Sequence, residues 1–381
     1  MLRERIITNA KIVTATDVIK GTVALRDGKI HDISEVNSAL PAAENWDGDY
    51  VIPGLIELHT DNLEKYMNPR PGVDWPSENA VLAHDAQIVG AAITTVFDAL
   101  SIGDVNPKGQ RLLQLPKMVD AISHAASEGH MRAEHRLHLR CEVSHEKTLG
   151  IFEDLVVNDL VHLVSVMDHT PGQRQFVKYE KYREYYQGKY HLSDADMDAF
   201  IVMQKQNAER YSVGYRRRIV DICHERGLSL ASHDDATREH VEESAGFGMT
   251  IAEFPTTREA AALSHQFGLK VLMGAPNVVR GGSHSGNIAA ADLAREGVLD
   301  ILSSDYYPAS MLQSVRILSQ SDLDISLPDA VNMVSLAPAI SANLPDRGQI
   351  QIGLRADLVQ VRDTGKQFVV QQVLREGQRV F

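Results

Sequence analysis

The sequence has few cysteines and lacks long apolar runs. Cys141 and Cys223 are the only cysteines, too few for a disulfide framework and without the spacing of a zinc ribbon. No run of about 18 apolar residues is present, as a membrane-spanning helix would need. Residues 1–6 carry charges where a signal peptide needs an apolar stretch. We therefore expect a soluble, cytoplasmic protein.

The sequence also has little positive charge relative to its negative charge. A formal net charge of −13 argues against a broad surface for nucleic acid or for a membrane. Because this charge repels small anions as well, an anionic substrate needs metal ions or local Arg and Lys side chains for its attraction. We expect a small-molecule partner, no nucleic acid and no membrane, and the sequence leaves open whether the chain forms a homo-oligomer.

Both ends of the chain consist of short β-type runs. Residues 12–16 and 23–25 are two such runs, and Asp27-Gly28 is a turn signal between strands. Residues 349–361 and 368–374 repeat the pattern near the other end. Each end alone has too few strands to bury a sheet face. The sequence therefore predicts one small β-sandwich formed by residues 1–50 and 345–381.

Between the two ends, over residues 51–344, short apolar strands alternate with helical segments. This alternation is typical of βα units and a parallel sheet. Eight such units match a closed (β/α)8 TIM-like barrel, with a doubly wound open sheet as the alternative, and barrels carry their reactive groups at the carboxyl ends of the strands. The predicted strands are residues 51–59, 93–98, 137–143, 162–168, 228–232, 249–254, 270–273 and 299–303.

Side chains that can bind metals follow several of these strands. His59 and Asp61 close the first strand, and residues two apart on a strand share a face, so their imidazole and carboxylate converge. Any one such residue has an ordinary structural explanation, but their recurrence at equivalent positions favours a metal site. Those after the third, fourth, fifth and eighth strands are Glu142, Asp168, His169, His233, Asp234, Asp235 and Asp305.

Imidazole and carboxylate ligands together suit one or two divalent ions of zinc, manganese or magnesium. Such an ion turns a bound water into a nucleophile near neutral pH. We expect Asp305 to act as the general base and Glu142 to act in catalysis by bridging two ions. The predicted ligands are His59, Asp61, Glu142, His169 and His233.

A glycine-rich segment, residues 274–287, follows the seventh predicted strand and precedes a helix that is expected to begin near Ile288. Glycines let backbone N–H groups approach an anion, and barrel loops at this place often bind phosphate. A flexible loop is the alternative. The predicted substrate-binding residues are Asn277, Arg280, Gly281, Gly282, Ser283 and His284, together with Lys65, Arg174 and Lys178, which could form a local positive ring with Arg140.

Residues 178–218 make a longer crossover than a barrel normally has, and they are rich in tyrosine and charge. We expect helices that cover the barrel mouth, either as a packed surface or dimer contact or as a lid over the substrate. Several histidines lie in or beside predicted helices and are expected to have surface or packing roles, namely His124, His130, His135, His138, His224 and His240.

Longer strings of the sequence resemble the amidohydrolase superfamily over nearly the whole chain, in residues 53–59, at Asp305, and in residues 335–339 and 348–359. Within it, five strings are similar to a family of diphosphatases of the carbon–phosphorus lyase route. These strings are residues 59–65, 168–176, 232–237, 253–257 and 274–287. The resemblance implies a metal-dependent hydrolase that cleaves a phosphorylated ribose phosphonate between its alpha and beta phosphoryl groups and releases pyrophosphate.

The sequence departs from the superfamily pattern in three places. Asp61 stands where the first motif usually has a second histidine, and the fourth strand ends without the usual lysine, which leaves Glu142 as its substitute. Glu253 ends the sixth strand, where a histidine is expected, unless the strand count is off by one. A deacetylase or deaminase of a phosphorylated sugar or base on the same scaffold, and a barrel without metal chemistry, are the competing hypotheses.

Overall fold

A computed structural model describes residues 4–103, 111–177, 179–283 and 286–381, without the side chain of Lys189. Lys178 and His284, two of the predicted substrate-binding residues, lie outside the described residues.

The described strands, in chain order, are β1 (Glu4–Val13), β2 (Val18–Arg26), β3 (Lys29–Ser34), β4 (Glu44–Asn45), β5 (Tyr50–Pro53), β6 (Leu55–Thr60), β7 (Ile93–Ile102), β8 (Glu134–Glu142), β9 (Val161–Met167), β10 (Ser229–His233), β11 (Ile251–Glu253), β12 (Lys270–Gly274), β13 (Ile301–Ser303), β14 (Leu358–Asp363), β15 (Phe368–Arg375) and β16 (Gln378–Arg379).

The described α-helices are α1 (Leu63–Met67), α2 (Ser77–Gly90), α3 (Arg111–Ser127), α4 (Thr148–Leu155), α5 (Tyr179–Tyr190), α6 (Asp194–Arg226), α7 (Arg238–Gly246), α8 (Arg258–Gln266), α9 (Ala275–Arg280), α10 (Ala290–Arg295), α11 (Ser310–Ser319), α12 (Leu327–Asn332) and α13 (Leu336–Ser341). A short 3-10 helix spans Arg174–Phe176. None of the helices in the described part of the chain is both long and apolar enough to cross a membrane.

Strands β6 to β13 form the predicted barrel, with all neighbours parallel and in chain order. The barrel closes where β13 meets β6. There the Asp305 backbone N–H donates to the His59 carbonyl at 3.0 Å, and the Asp61 N–H donates to the Asp305 carbonyl at 3.0 Å. This closure places the first predicted metal motif directly beside the predicted general base.

The first predicted strand, residues 51–59, is in fact two strands that belong to different sheets. Tyr50–Pro53 pairs with β1 and β14 in the terminal sheet, and Leu55–Thr60 begins the barrel. Gly54 lies between them because a Cβ there would approach the Thr94 side chain to 2.2 Å. The boundaries at 50/51 and 344/345 stay a prediction, and the pairing of β5 joins residues 50–53 to the terminal sheet.

Both chain ends contribute to a second, mostly antiparallel sheet, in the order β16-β15-β14-β5-β1-β2-β3, with β4 beside β1. The sheet curls, as an isolated antiparallel β-bridge between Lys29 on its far edge and Arg355, just before β14, shows. Its apolar core includes Ile7, Val23 and Trp46. The predicted fold class, a barrel with a β module built from both ends, is confirmed, and the strands of this module form one continuous sheet.

An apolar cluster fills the inside of the barrel. Seven of its strands contribute to this cluster, which contains Ile56, Leu58, Phe97, Leu163, Ala231, Ile251, Leu272 and Ile301, with Ala339, Ala342 and Leu344 from the chain after β13. Burying each larger side chain contributes roughly 1.5–3 kcal/mol. Strand β8 supplies none of these apolar residues, and its inward position is taken by His138, opposite Leu163 in the strand register.

Candidate active site

A cavity of about 490 Å³ opens at the carboxyl ends of the barrel strands. Three tyrosines of α5, Tyr185, Tyr186 and Tyr190, form part of its wall, so this helix covers the mouth as the long crossover predicts. Whether α5 acts as a lid or as a dimer contact stays a prediction. The predicted site residues that line the cavity are His59, Asp61, Glu142, His169, His233, Asn277, Arg280, Gly282, Ser283 and Asp305.

Glu253, at the end of β11, joins two of the predicted ligands. Its two carboxylate oxygens lie 3.1 Å from Nδ1 of His59 and 3.1 Å from Nδ1 of His233. With Nδ1 of each ring donating to this carboxylate, Nε2 is left with its lone pair, which is the form a metal requires. Burial lowers the pKa of His59 to about 4, so this imidazole is neutral at neutral pH.

His138 belongs to the same group, although the sequence analysis gave it only a surface or packing role. It lies on β8 and is fully buried, with Nδ1 2.9 Å from the Leu58 carbonyl oxygen and Nε2 2.9 Å from Ser165 Oγ. Its Nε2 is 3.8 Å from Glu253 Oε1. His59, His138 and Glu253 therefore form a buried group of possible metal ligands, with donor atoms within 4.8 Å of one another.

A second group of possible ligands consists of His169, His233 and Asp234, again within 4.8 Å. His169 Nδ1 lies 2.6 Å from Glu142 Oε2, and its Nε2 lies 3.6 Å from Asp234 Oδ2. Burial alone would lower the pKa of His169, but the two carboxylates outweigh it and raise this pKa to about 10. A metal ion bound by this imidazole would displace its proton, because metal ligands must be deprotonated.

The donor chemistry at the barrel mouth therefore fits a metal. It combines a neutral imidazole, a proton-bridged imidazole and several buried carboxylates, as divalent ions require. The two groups meet at His233, which contacts Glu253 through Nδ1 and lies 3.5 Å from Asp234 through Nε2. The structure thus provides candidate metal-binding groups at the predicted place, and the identity and number of ions are not fixed by them.

Asp305 follows β13 in a left-handed backbone conformation, with φ of 56°. Burial and the nearby negative charge of Asp61 raise the pKa of its carboxyl to about 7. A carboxyl group with this pKa can accept a proton and release it near neutral pH, which is the property of a general base. Asp305 and Asp61 are joined through the backbone where the barrel closes.

Glu57 is a buried residue that the sequence analysis did not single out. It accepts hydrogen bonds from the backbone N–H of His59 at 2.7 Å and of Ser304 at 2.6 Å, and from the Ser303 hydroxyl. Burial raises its pKa to about 7. These bonds tie β6 to β13 just below the cavity and hold the backbone that carries His59 and Asp305.

The glycine-rich segment is partly helical, contrary to the predicted loop. Helix α9, Ala275–Arg280, begins directly after β12, and Gly281 ends it in a left-handed conformation with φ of 77°. Gly281 ends the helix without lining the cavity. Asn277 lines the cavity while its Oδ1 accepts the Ala290 N–H at 3.0 Å, so it also fixes the start of α10.

Two of the predicted substrate-binding cations are placed differently from expectation. Arg174 is only 2% exposed and is absent from the cavity wall, because its guanidinium is paired with Asp235 and with Glu243, the latter at 3.0 Å. We therefore withdraw it as a substrate ligand. Lys65 is exposed and donates to the Tyr306 carbonyl, which places it at the rim of the cavity.

Two other residues of the site were missed as ligands. Asp234 belongs to the polar run after β10 that the sequence analysis noted, and it is buried with φ of 58°. The position of Asp234 just past a strand, beside His233, was the sequence signal that could have identified it. His138 gave no such signal, because it lies between Leu137 and Leu139 within β8 and not at the carboxyl end of the strand.

Comparisons with known proteins identify the family to which this chain is similar. Residues 196–380 match the family model described as Amidohydrolase family. The chain is 52% identical over 377 residues to the alpha-D-ribose 1-methylphosphonate 5-triphosphate diphosphatase of Escherichia coli (strain K12), with 99% of this chain and 100% of that protein covered.

Solved structures of low sequence identity share the fold. A 5-methylcytosine deaminase from Klebsiella pneumoniae, liganded with phosphonocytosine, matches with a TM-score of 0.66 at 16% identity, covering 99% of this chain and 98% of that one. The N-acetyl-D-glucosamine-6-phosphate deacetylase of Mycobacterium smegmatis matches with a TM-score of 0.64 at 16% identity, covering 99% of each chain. At this identity, both matches show the fold alone.

Proposed function

Because this chain belongs to the amidohydrolase family, together with the diphosphatase that it matches over nearly its whole length, we propose that it is a metal-dependent hydrolase of alpha-D-ribose 1-methylphosphonate 5-triphosphate. The reaction cleaves the bond between the alpha and beta phosphoryl groups, leaves the 5-phosphate with its phosphonate, and releases pyrophosphate. The substrate is a small phosphorylated ribose phosphonate, and the cytoplasmic location expected from the sequence is part of the same proposal.

The observation that carries this proposal is the convergence of imidazole and carboxylate groups from separate strands at one cavity. We propose one or two divalent ions, zinc, manganese or magnesium, as the cofactor. The residues that would hold them are His59, Asp61, Glu142, His169 and His233, with Asp234 and Glu253 as further donors. When bound, such ions supply Lewis acidity toward water and toward a phosphoryl oxygen.

The protein itself moves the proton and orients the site. Asp305, whose pKa is raised to about 7, accepts the proton of the attacking water. Glu253 fixes His59 and His233 through Nδ1, so both rings present Nε2 in one orientation. Glu142 holds His169 in the same way, with Oε2 2.6 Å from Nδ1. Its proposed catalytic role is that of a carboxylate that would be shared by two ions.

The substrate's phosphate chain is proposed to bind along the segment after β12. Arg280, Gly282 and Ser283 line the cavity there, and Gly281 shapes the backbone between them. Arginine can bind phosphate through two parallel hydrogen bonds. Asn277, the rim residue Lys65, and Lys178 and His284, which lie outside the described residues, complete the proposed set.

A product assay tests this function. The purified chain, loaded with zinc or manganese, is incubated with the ribose 5-triphosphate phosphonate, and the products are followed by phosphorus NMR. Pyrophosphate formed in equal amount to the 5-phosphate is the expected result. Release of orthophosphate alone would contradict the proposed bond, and acetate or ammonia from phosphorylated N-acyl sugars or bases, without pyrophosphate, would favour the competing deacetylase or deaminase.

A further inference from the structure

Arg140 is a cavity residue to which the proposed function gives no role. It lies on β8 two positions before Glu142, and both residues line the cavity. Since residues two apart on a strand point to the same side, the Arg140 guanidinium faces the same space as the Glu142 carboxylate. A positive group therefore lies at the inner end of the cavity, beside the candidate metal ligands.

The buried arginines elsewhere in the chain are paired with carboxylates. Each of four well-buried guanidiniums lies within 4.0 Å of at least two carboxylate side chains: Arg174 contacts Asp235 and Glu243, Arg216 contacts Asp168 and Glu243, Arg347 contacts Glu134 and Asp346, and Arg355 contacts Glu134, Asp357 and Glu376. This pairing is expected, because an arginine removed from water needs a compensating anion.

Arg140 differs from these four residues. Among the described residues it forms no ion pair within 4.0 Å, and its buried Nε, like that of Arg216, has no hydrogen-bond partner. An acidic chain with 51 Asp and Glu against 38 Lys and Arg had many carboxylates to offer it. A partly buried cation without a protein partner, facing a cavity, is the arrangement of an anion receptor.

The charge of Arg140 acts at the reaction centre. Burial lowers the pKa of His59 and His138, and the positive charge of Arg140 lowers both further. Burial and Asp61 raise the pKa of Asp305, and Arg140 opposes this rise. The guanidinium is thus close enough to influence the candidate ligands and the proposed base, whereas Arg280 lies at the exposed end of α9.

We propose that Arg140 is a catalytic residue of the proposed hydrolysis, whose guanidinium binds the non-bridging oxygens of the phosphoryl group under attack. This inference rests on the proposed function. The water oxygen forms a bond to the alpha phosphorus, its proton passes to Asp305, and the bond from the alpha phosphorus to the bridging oxygen breaks with its electron pair leaving on pyrophosphate. Arg140 neutralises the negative charge on the transferred group during this step.

The test compares Arg140→Met and Arg140→Lys with the wild type, with bound metal measured in each protein. Removal of one such charge-stabilising donor typically costs about 10²–10³-fold in kcat, so Arg140→Met is expected to lose this much while retaining its metal. Guanidinium ion added to Arg140→Met is expected to restore activity at least about tenfold, which a structural role would not produce. Arg140→Lys keeps the charge but lacks the paired donors, and an intermediate kcat is expected.

Arg136→Lys is the matched control, because Arg136 lies on the same strand but pairs with Glu134 and does not line the cavity. It is expected to keep wild-type kcat. Wild type that releases no pyrophosphate would overturn the proposed function itself. If the wild type is active, a kcat of Arg140→Met within about fivefold of the wild-type value overturns the role of Arg140. A loss of activity that is matched by loss of metal and is not rescued by guanidinium overturns it as well. If Arg140→Met does not fold, wild-type kcat in Arg140→Lys overturns it as well.

Discussion

Two clusters of histidine and carboxylate side chains lie in this barrel, and they have different surroundings. The mouth cluster is formed by His59, His138, His169, His233, Asp234 and Glu253, and four of these residues, His59, His169, His233 and Asp234, line the cavity. The buried cluster is formed by His84 and Asp85 on α2, Asp98 on β7 and His135 on β8. Three residues of the buried cluster meet the same 4.8 Å criterion as the two groups in the mouth. Closeness and residue type therefore do not separate a metal site from another use of the same side chains.

Access to the cavity does separate them. In the buried cluster, Asp98 uses Oδ1 for His84 at 2.8 Å and Oδ2 for His135 at 2.7 Å, while His135 turns its other nitrogen to Asp85 at 3.4 Å. Each bridging residue thus uses its two ends for different partners, as Glu253 and His169 do in the mouth, but none of the four residues of the buried cluster lines the cavity. Burial lowers the pKa of His135, but Asp98 and Asp85 outweigh it and raise this pKa to about 9, so a proton supplies the positive charge.

The buried chain also reaches the first metal motif. His84 Nδ1 lies 3.1 Å from the Asn62 amide, next to Asp61, and the far end is closed by Arg132, which lies 3.0 Å from Asp85. We infer that the buried cluster holds the turn after β6 in place, while the mouth cluster performs the chemistry.

The largest expected effect follows from two buried aspartates with opposite pKa shifts. Imidazole neighbours outweigh burial and hold the pKa of Asp98 well below its usual range, whereas burial and Asp61 raise that of Asp305 to about 7. Asp305→Asn is expected to lower kcat by roughly a hundredfold or more, as for a positioned general base, with metal still bound. Steady-state kinetics with metal analysis measures this, and unchanged turnover would remove Asp305 from the role.

A matched pair of substitutions tests which cluster binds metal. Glu253 and Asp98 are both fully buried carboxylates, each placed between two imidazoles. Glu253→Gln is expected to weaken metal binding by about 10–100-fold, as loss of a group that orients metal-binding histidines does. Asp98→Asn is expected to leave metal affinity unchanged and to lower stability, because it removes the closer of the two carboxylates that pair with the His135 charge.

Metal affinity in this pair is measured by competition with a chelator, and stability by urea unfolding. Equal loss of metal in both variants would contradict the distinction between the clusters. A third ion per chain that disappears in Asp98→Asn would show that the buried cluster is a metal site after all.

The barrel could be predicted because its signal is local. Each of the eight predicted strands overlaps an observed one, since short apolar runs that end in polar residues mark both the strands and the mouth of the barrel. Where local composition misleads, the prediction failed. Strand β8 begins at Glu134, but Glu134, His135 and Arg136 hide its start, so the predicted strand began only at residue 137 and His135 was placed before it.

Pairing over long distances in sequence could not be predicted. Arg174 looked like a phosphate ligand because it follows His169, yet its charge is used by Asp235 and Glu243, 61 and 69 residues further on. Arg140 shows the reverse case, since only the structure reveals that no described carboxylate pairs with it. The sequence thus indicates which residue types reach the mouth, and the fold decides which of them are free to act.

The smallest expected effect is the pH dependence of the buried cluster. The folded-state pKa of His135, about 9, lies above the ordinary histidine value of 6.5, so its stabilisation is complete below pH 6.5 and is lost as the pH rises through 9. Between pH 6.5 and pH 8 this loss amounts to about 1.5 kcal/mol of unfolding free energy. Other shifted groups such as His169 and Asp305 are present in both wild type and His135→Gln, so the stability difference between the two proteins should shrink by that amount in urea unfolding. A constant difference across this range would mean that His135 is neutral in the folded protein, and a bound cation would then have to replace the proton as the positive partner of Asp98.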